Sequence, residues 1–210
     1  MKNARIFLLW FFLSAYVGAS AQILAEGSWH KGRVVDTDGN MYGGNIKYDT
    51  QRQTVMVDLE GSVKTFNARN VKFFEFYDLR VRATRRFYSL KYAKNQNIQY
   101  ESLQFFELIS QGKKVTLLGT EYLETRTNVQ PGWGWYGMGP TTFSYRIVTE
   151  FYLMNNASEK IVKLNTRKKK KFLQQMNEPR LEEFIKRNRL NINQRADMTR
   201  IIEYYDSLQQ

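Results

Sequence analysis

The stretch Arg33-Val34-Val35-Asp36-Thr37-Asp38-Gly39-Asn40-Met41-Tyr42-Gly43-Gly44-Asn45-Ile46-Lys47-Tyr48 decides the class of fold. Ile46 and Tyr48 alternate with Asn45 and Lys47, the period of two that marks a half-buried strand. Asp38-Gly39 supplies the left-handed backbone a tight hairpin turn demands. Two strands and a turn are therefore expected here.

The same grammar continues outward. Thr54 to Leu59 and Ser62 to Asn67 flank Glu60-Gly61, with Val55, Val57 and Leu59 on one side and Met56 and Asp58 on the other. Val71 to Tyr77, carrying Phe73, Phe74 and Phe76, is nearly continuous in apolar residues and reads as a strand covered on both faces. Arg86 to Tyr92, Glu101 to Ile109, Lys114 to Thr125, Thr142 to Met154 and Lys160 to Leu164 follow, with turns at Gln111-Gly112 and Asn155 to Ser158 and a wider break from Pro131 to Pro140. The fold class is thus α+β, mainly antiparallel β: a curled sheet, barrel or sandwich of about ten strands.

At Arg167 the period changes. Phe172, Leu173 and Met176, then Leu181, Phe184 and Ile185, then Met198, Ile201, Ile202, Tyr205 and Leu208 recur three and four apart, giving two or three C-terminal amphipathic helices. Pro179 suits the first turn of the second helix, with Asn177 as its expected cap and Glu182 and Glu183 near the positive end of its dipole. No long linker intervenes, so the helices are expected to pack on the sheet.

The N-terminus reads as an export signal. Lys2 and Arg5 precede an apolar run, Ile6 to Leu13, that ends in Ala19-Ser20-Ala21, the small-x-small pattern of signal peptidase. The run is shorter than the roughly 20 apolar residues a spanning helix needs. Residues 1–21 are expected to be removed before Gln22, leaving residues 22–210 as one β-rich domain with a helical tail from about 167. Removing 21 of 210 residues leaves 189, ample for one core. There is no cysteine, which excludes disulfides and a thioether-linked lipid, so the core alone must stabilise the chain. Aromatic residues, 15% of the chain, suit that task.

The formal charge is +12, and losing Lys2 and Arg5 with the signal lowers it to +10. Outside the cytoplasm such a field favours anionic lipid, lipopolysaccharide, acidic glycan or an envelope protein as partner. No groove-reading or base-stacking motif accompanies the charge, so nucleic acid is not expected.

The catalytic inventory is thin. His30 is the only histidine and reads as a strand-end residue, so histidine-based triads and zinc sites have little to build on. Asp36 with Asp38, or Glu121 with Glu124, are the carboxylate pairs that a hydrolase of envelope polymers would use. Asp36, Asp38 and Asn40 resemble the start of a calcium loop, but Met41 and Lys47 stand where its glycine and glutamate belong. No cofactor, metal site or catalytic residue is assigned.

Two segments stand out as partner-binding candidates. Trp133, Trp135 and Tyr136 lie on the glycine-rich break, where flat aromatic rings with polar edges can stack on sugars or settle at a lipid interface. Lys168, Lys169, Lys170 and Lys171 open the first helix, where positive charge opposes the dipole, so stability did not place them there.

The N-terminal signal, the Gly32 to Tyr48 hairpin with its Asp38-Gly39 turn, the Phe73-Phe74-Glu75 strand and the Leu190 to Tyr205 tail resemble small uncharacterised exported proteins of Bacteroidetes. The resemblance implies a Gram-negative envelope location, periplasmic or secreted, and transfers no activity or site residues. The expected function is a non-catalytic binding protein of the envelope; the alternatives are the carboxylate hydrolase and a structural accessory of an outer-membrane complex.

Overall fold

The structure is a computed structural model that describes residues 28–94, 101–131 and 138–209. Ten strands form one antiparallel sheet that does not close. They are β1 (His30–Asp36), β2 (Met41–Asp49), β3 (Thr54–Leu59), β4 (Ser62–Asn67), β5 (Val71–Asp78), β6 (Ala83–Tyr92), β7 (Ser102–Gln111), β8 (Val115–Pro131), β9 (Met138–Asn155) and β10 (Ile161–Lys163). Their spatial order is β10-β9-β8-β7-β6-β5-β1-β2-β3-β4. Two meanders, β1 to β4 and β5 to β10, are therefore joined at one seam, the β1–β5 ladder.

Among the alternatives of curled sheet, barrel and sandwich, the curled open sheet is found. The β1–β4 meander rolls over β5 to β7, so that Gln53 Oε1, at the β2–β3 turn, accepts from the Phe105 N–H on β7 at 2.9 Å. Inside the roll the Tyr48 ring lies 4.9 Å from Phe74 and 5.0 Å from Phe87, and Phe74 and Phe87 stack at 4.7 Å. Val34, Ile46, Val55, Val57 and Phe66 complete this first core. Gly39 has the positive φ, 88°, that its turn was expected to need.

One expectation is corrected at β5. Phe74, Phe76 and Asp78 are buried, but the opposite face is half open: Tyr77 is exposed, and Glu75 lies between Arg33 and Arg86 at 2.7 and 2.6 Å. Phe73 packs beside Tyr88 on that side, so a ring and an ion-pair ladder stand where a second apolar layer was expected.

Three helices, α1 (Lys169–Met176), α2 (Pro179–Arg187) and α3 (Arg195–Leu208), cover the far end of the same sheet face. Phe172, Met176, Leu181, Ile185, Met198, Ile201 and Ile202 form the second core with Val115, Leu117 and Phe151. Pro179 opens α2 as expected, but its cap is Glu178, whose side chain accepts from the Arg180 N–H; Asn177 instead closes α1 in the left-handed region, φ 49°. The residue before a proline is held extended, which is the backbone an N-cap requires. No helix among the described residues is long and apolar enough to cross a membrane.

Asp206 of α3 ties this layer to the sheet. Its carboxylate accepts from the N–H groups of Lys113, Lys114 and Val115 at 2.8 to 2.9 Å, capping the β7–β8 turn. A Cβ at Gly112 would lie 2.5 Å from Asp206 Cγ, so only glycine fits beneath that carboxylate.

Candidate functional site

Between the two cores, on the same sheet face, lies a buried ionic hub. Arg85 turns its guanidinium on three carboxylates: Nε donates to Glu107 Oε1 at 2.8 Å, one terminal nitrogen donates to Asp78 and Glu121 at 3.1 Å each, and the other donates to Glu107 at 2.6 Å and lies 3.0 Å from Glu121. Arg195, the first residue of α3, closes on both oxygens of Glu107 from the other side, at 2.7 and 2.5 Å. A cation at a helix N-terminus opposes the dipole, and this bidentate pair offsets that cost.

Burial alone would raise the Glu107 carboxyl, but the hydrogen bonds from Arg85 and Arg195 outweigh it and hold it below its ordinary value. Asp78 follows the same logic, with burial opposed by Arg80 and Arg85 and the net direction downward. A general acid needs the reverse shift. With Arg85 held among three carboxylates, the chemistry of the hub is that of a joint between the cores.

The carboxylate pairs anticipated in the sequence do not converge. Glu121 and Glu124 are three residues apart on one strand and face opposite sides of it: Glu121 meets Arg85, whereas Glu124 meets Arg146 and Arg126 at 2.5 and 3.2 Å. Asp36 is consumed by its own turn, accepting from the Asp38 and Asn40 N–H groups, the Asn40 amide and the Tyr42 hydroxyl, and these bonds, Asn40 foremost, lower its carboxyl. His30 stacks on Phe76 at 4.9 Å. No cluster of metal-binding side chains occurs among the described residues.

A cavity of about 190 Å³ opens beside the hub where the roll ends, lined by His30, Lys47, Arg80, Glu121, Leu123 and Ile147 among others. Its outer wall is the root of the most unusual element of the molecule. The last β7–β8 pair is Glu107 with Gly119, yet β8 and β9 stay paired from Val115 with Asn155 to Pro131 with Met138. Beyond Gly119 the two strands part from β7, stay beside the body across the cavity as far as Leu123 and Ile147, and continue outward as a two-stranded arm; the eleven or so rungs past Gly119 span about 35 Å. The break expected from Pro131 to Pro140 is correspondingly narrower, because the Thr- and Val-rich flanks continue the ladder.

Exposure along β9 shows where the body stops. Phe151 is 1% exposed; Ile147, Tyr145 and Phe143, on the same face by strict alternation, rise to 42%, 47% and 61%. Leu123, Thr125 and Thr127 of β8 pair with Ile147, Tyr145 and Phe143 and complete that face, while Glu124, Arg126 and Arg146 occupy the other. The face that carries the rings is the one that, nearer the body, packs under the helices.

Lys168 to Lys171 are all exposed. Lys168 caps α1 without a side-chain bond, and among the described residues no ion pair joins these four lysines to a carboxylate. The chain enters the helix layer from beside β9, where the Leu164 N–H donates to the Phe151 carbonyl at 2.8 Å, and the run begins four residues later in sequence. Trp133, Trp135 and Tyr136 lie outside the described residues, between β8 and β9 in sequence.

Sequence reasoning missed the hub and the length of the arm. The hub had a signal: Asp78 continues the Phe74, Phe76 alternation, Arg85 precedes Phe87 by two, and Glu107 follows Phe105 by two, so each charge sits on a buried parity. Comparison with known proteins returns no match to a family model, a curated protein or a solved structure.

Proposed function

We propose that this chain is an exported, non-catalytic interaction protein of the Gram-negative envelope, and that it docks on an anionic amphiphilic surface through the arm. The observation that carries the reading is the arm's exposed stripe of Phe143, Tyr145 and Ile147, set on the sheet face that also bears the helix layer, whose Lys168 to Lys171 form no ion pair among the described residues. An apolar, aromatic stripe without cover marks an interaction surface. Lysines near an anionic bilayer contribute about 1 kcal/mol each. Trp133, Trp135 and Tyr136, between β8 and β9 in sequence, add aromatic residues to the same stretch of chain.

The shared chemistry is phosphate-bearing lipid, phospholipid or lipopolysaccharide. Cosedimentation with phosphatidylglycerol vesicles, phosphatidylcholine vesicles and lipopolysaccharide micelles separates the sources. Binding to at least one anionic surface, weakened by salt and by either F143S/Y145S/I147S or K168Q/K169Q/K170Q/K171Q, is the expected result. Equal binding to neutral and charged vesicles, or none to any, overturns the reading.

A further inference from the structure

A two-stranded ribbon is marginal in water, and each of its edges presents a row of unpaired backbone groups. Proteins protect such edges with proline, glycine bulges, lysine or short length. The other edges here follow that rule: β10 has three residues, β4 has six with Lys64 among them, and the arm's β9 edge starts with Gly139-Pro140. The β8 edge differs in that its charges are of both signs: beyond Leu123 it reads Glu-Thr-Arg-Thr-Asn-Val-Gln, with no proline, glycine or lysine, and its pairing to β9 is regular until the shift between Val129 and Pro131.

We infer that this edge pairs with the same edge of a second copy, antiparallel, about a two-fold axis at Thr125. The charges select that register. The axis sets Glu124 opposite the partner's Arg126, and Arg126 opposite the partner's Glu124, on one face. Moving the axis by one residue, a register slip of two, sets Glu124 against a second Glu124 or Arg126 against a second Arg126, so the charges favour the axis at Thr125.

An axis perpendicular to the sheet keeps like faces together. The dimer has a four-stranded central sheet, β9-β8-β8-β9, with Ile147, Tyr145 and Phe143 of both copies on one side. Four strands with an apolar face meet the requirement that two do not. The assembly holds whatever surface that face engages, and it is read without lipid.

The chain has no cysteine, so one introduced thiol reports the register without background. Opposed residues at the axis have Cα atoms about 4.5 to 5.5 Å apart, within disulfide reach. Two Thr127 positions are four residues out of register, about 13 Å apart. Mild oxidation is expected to convert T125C to a covalent dimer at least tenfold faster than T127C or S144C, each an exposed site that does not disturb folding. R126E sets two glutamate pairs across the axis and is expected to raise the dimer dissociation constant at least tenfold by sedimentation velocity; E124R/R126E/R146E, which inverts every sign including the within-chain pair, restores it. Equal cross-linking of T125C and T127C, cross-linking at S144C alone, or a wild-type chain that sediments as a monomer at high micromolar concentration overturns the assignment.

Discussion

The same two strands, β8 and β9, live in two environments. From Val115 to Gly119 and from Phe151 to Asn155 they are covered on both faces, with Leu117 and Phe151 under the helices and Leu118 and Tyr152 in a third cluster beside Phe106 and Tyr92. Ten residues further out, the alternation is unchanged and nothing among the described residues covers it. Period-two patterning thus establishes that a strand has two kinds of face, not that either face finds a neighbour. What separates the halves is composition: the inner half is apolar on both parities, the outer half on one.

Acid should separate the two halves most. Asp78, Glu107 and Asp206 all have carboxyls held below their ordinary values, by arginines or by backbone N–H groups acting against burial. Their folded values lie below the unfolded ones near 4, so their contribution is complete above the unfolded values and is lost as pH falls through the folded ones. Denaturation midpoints followed by circular dichroism should stay level from pH 7 to about 5 and fall steeply below 4. A flat profile to pH 3 would show that the joint between the cores is not ionic in origin.

Next in size is the hub itself. Glu107→Ala takes from Arg195 its carboxylate partner and leaves Arg85 with Asp78 and Glu121 alone, and breaking such a buried pair costs about 3 to 5 kcal/mol. Glu124→Ala, on the arm, should leave the unfolding midpoint where it was. Chemical denaturation of both variants tests the contrast, and equal losses would erase the distinction between body and arm.

Phe151→Ala and Phe143→Ala sharpen it within one strand, eight residues apart. The first opens a cavity in the helix-covered core and should cost about 3 to 5 kcal/mol; the second, 61% exposed, should stay within about 0.5 kcal/mol in the monomer. The smallest of the measurable losses is expected at the turn: Asp206→Ala removes three charge-assisted bonds to backbone and should cost about 2 kcal/mol. Hydrogen exchange at Lys113, Lys114 and Val115 should rise with it.

Much of the architecture was legible from residues alone. The hairpin at Asp38-Gly39, the Thr54 to Leu59 and Ser62 to Asn67 pair and the helical period after Arg167 are local signals, set by turn chemistry and side-chain spacing, and the structure contains them within a residue or two. The roll of the sheet was not legible, because it depends on meetings such as Gln53 with Phe105, 52 residues apart, that no local period encodes. The candidate site divided in the same way. Lys168 to Lys171 could be read as exposed from the charge run itself, whereas the arm's independence of β7 follows from where one ladder stops, at Glu107 with Gly119, and no residue type announces that.

The order of strands carries a last consequence, for the route by which the chain reaches this shape. Each meander is assembled from neighbours in sequence, so its hairpins close over short loops and form early. Only the ladder between β1 and β5 spans a finished meander, with Val34 set against Phe74. Loop-closure entropy concentrates at that one ladder. Substitutions along it, Val34→Ala foremost, should therefore slow refolding, while equal losses of stability inside the helix layer should chiefly hasten unfolding.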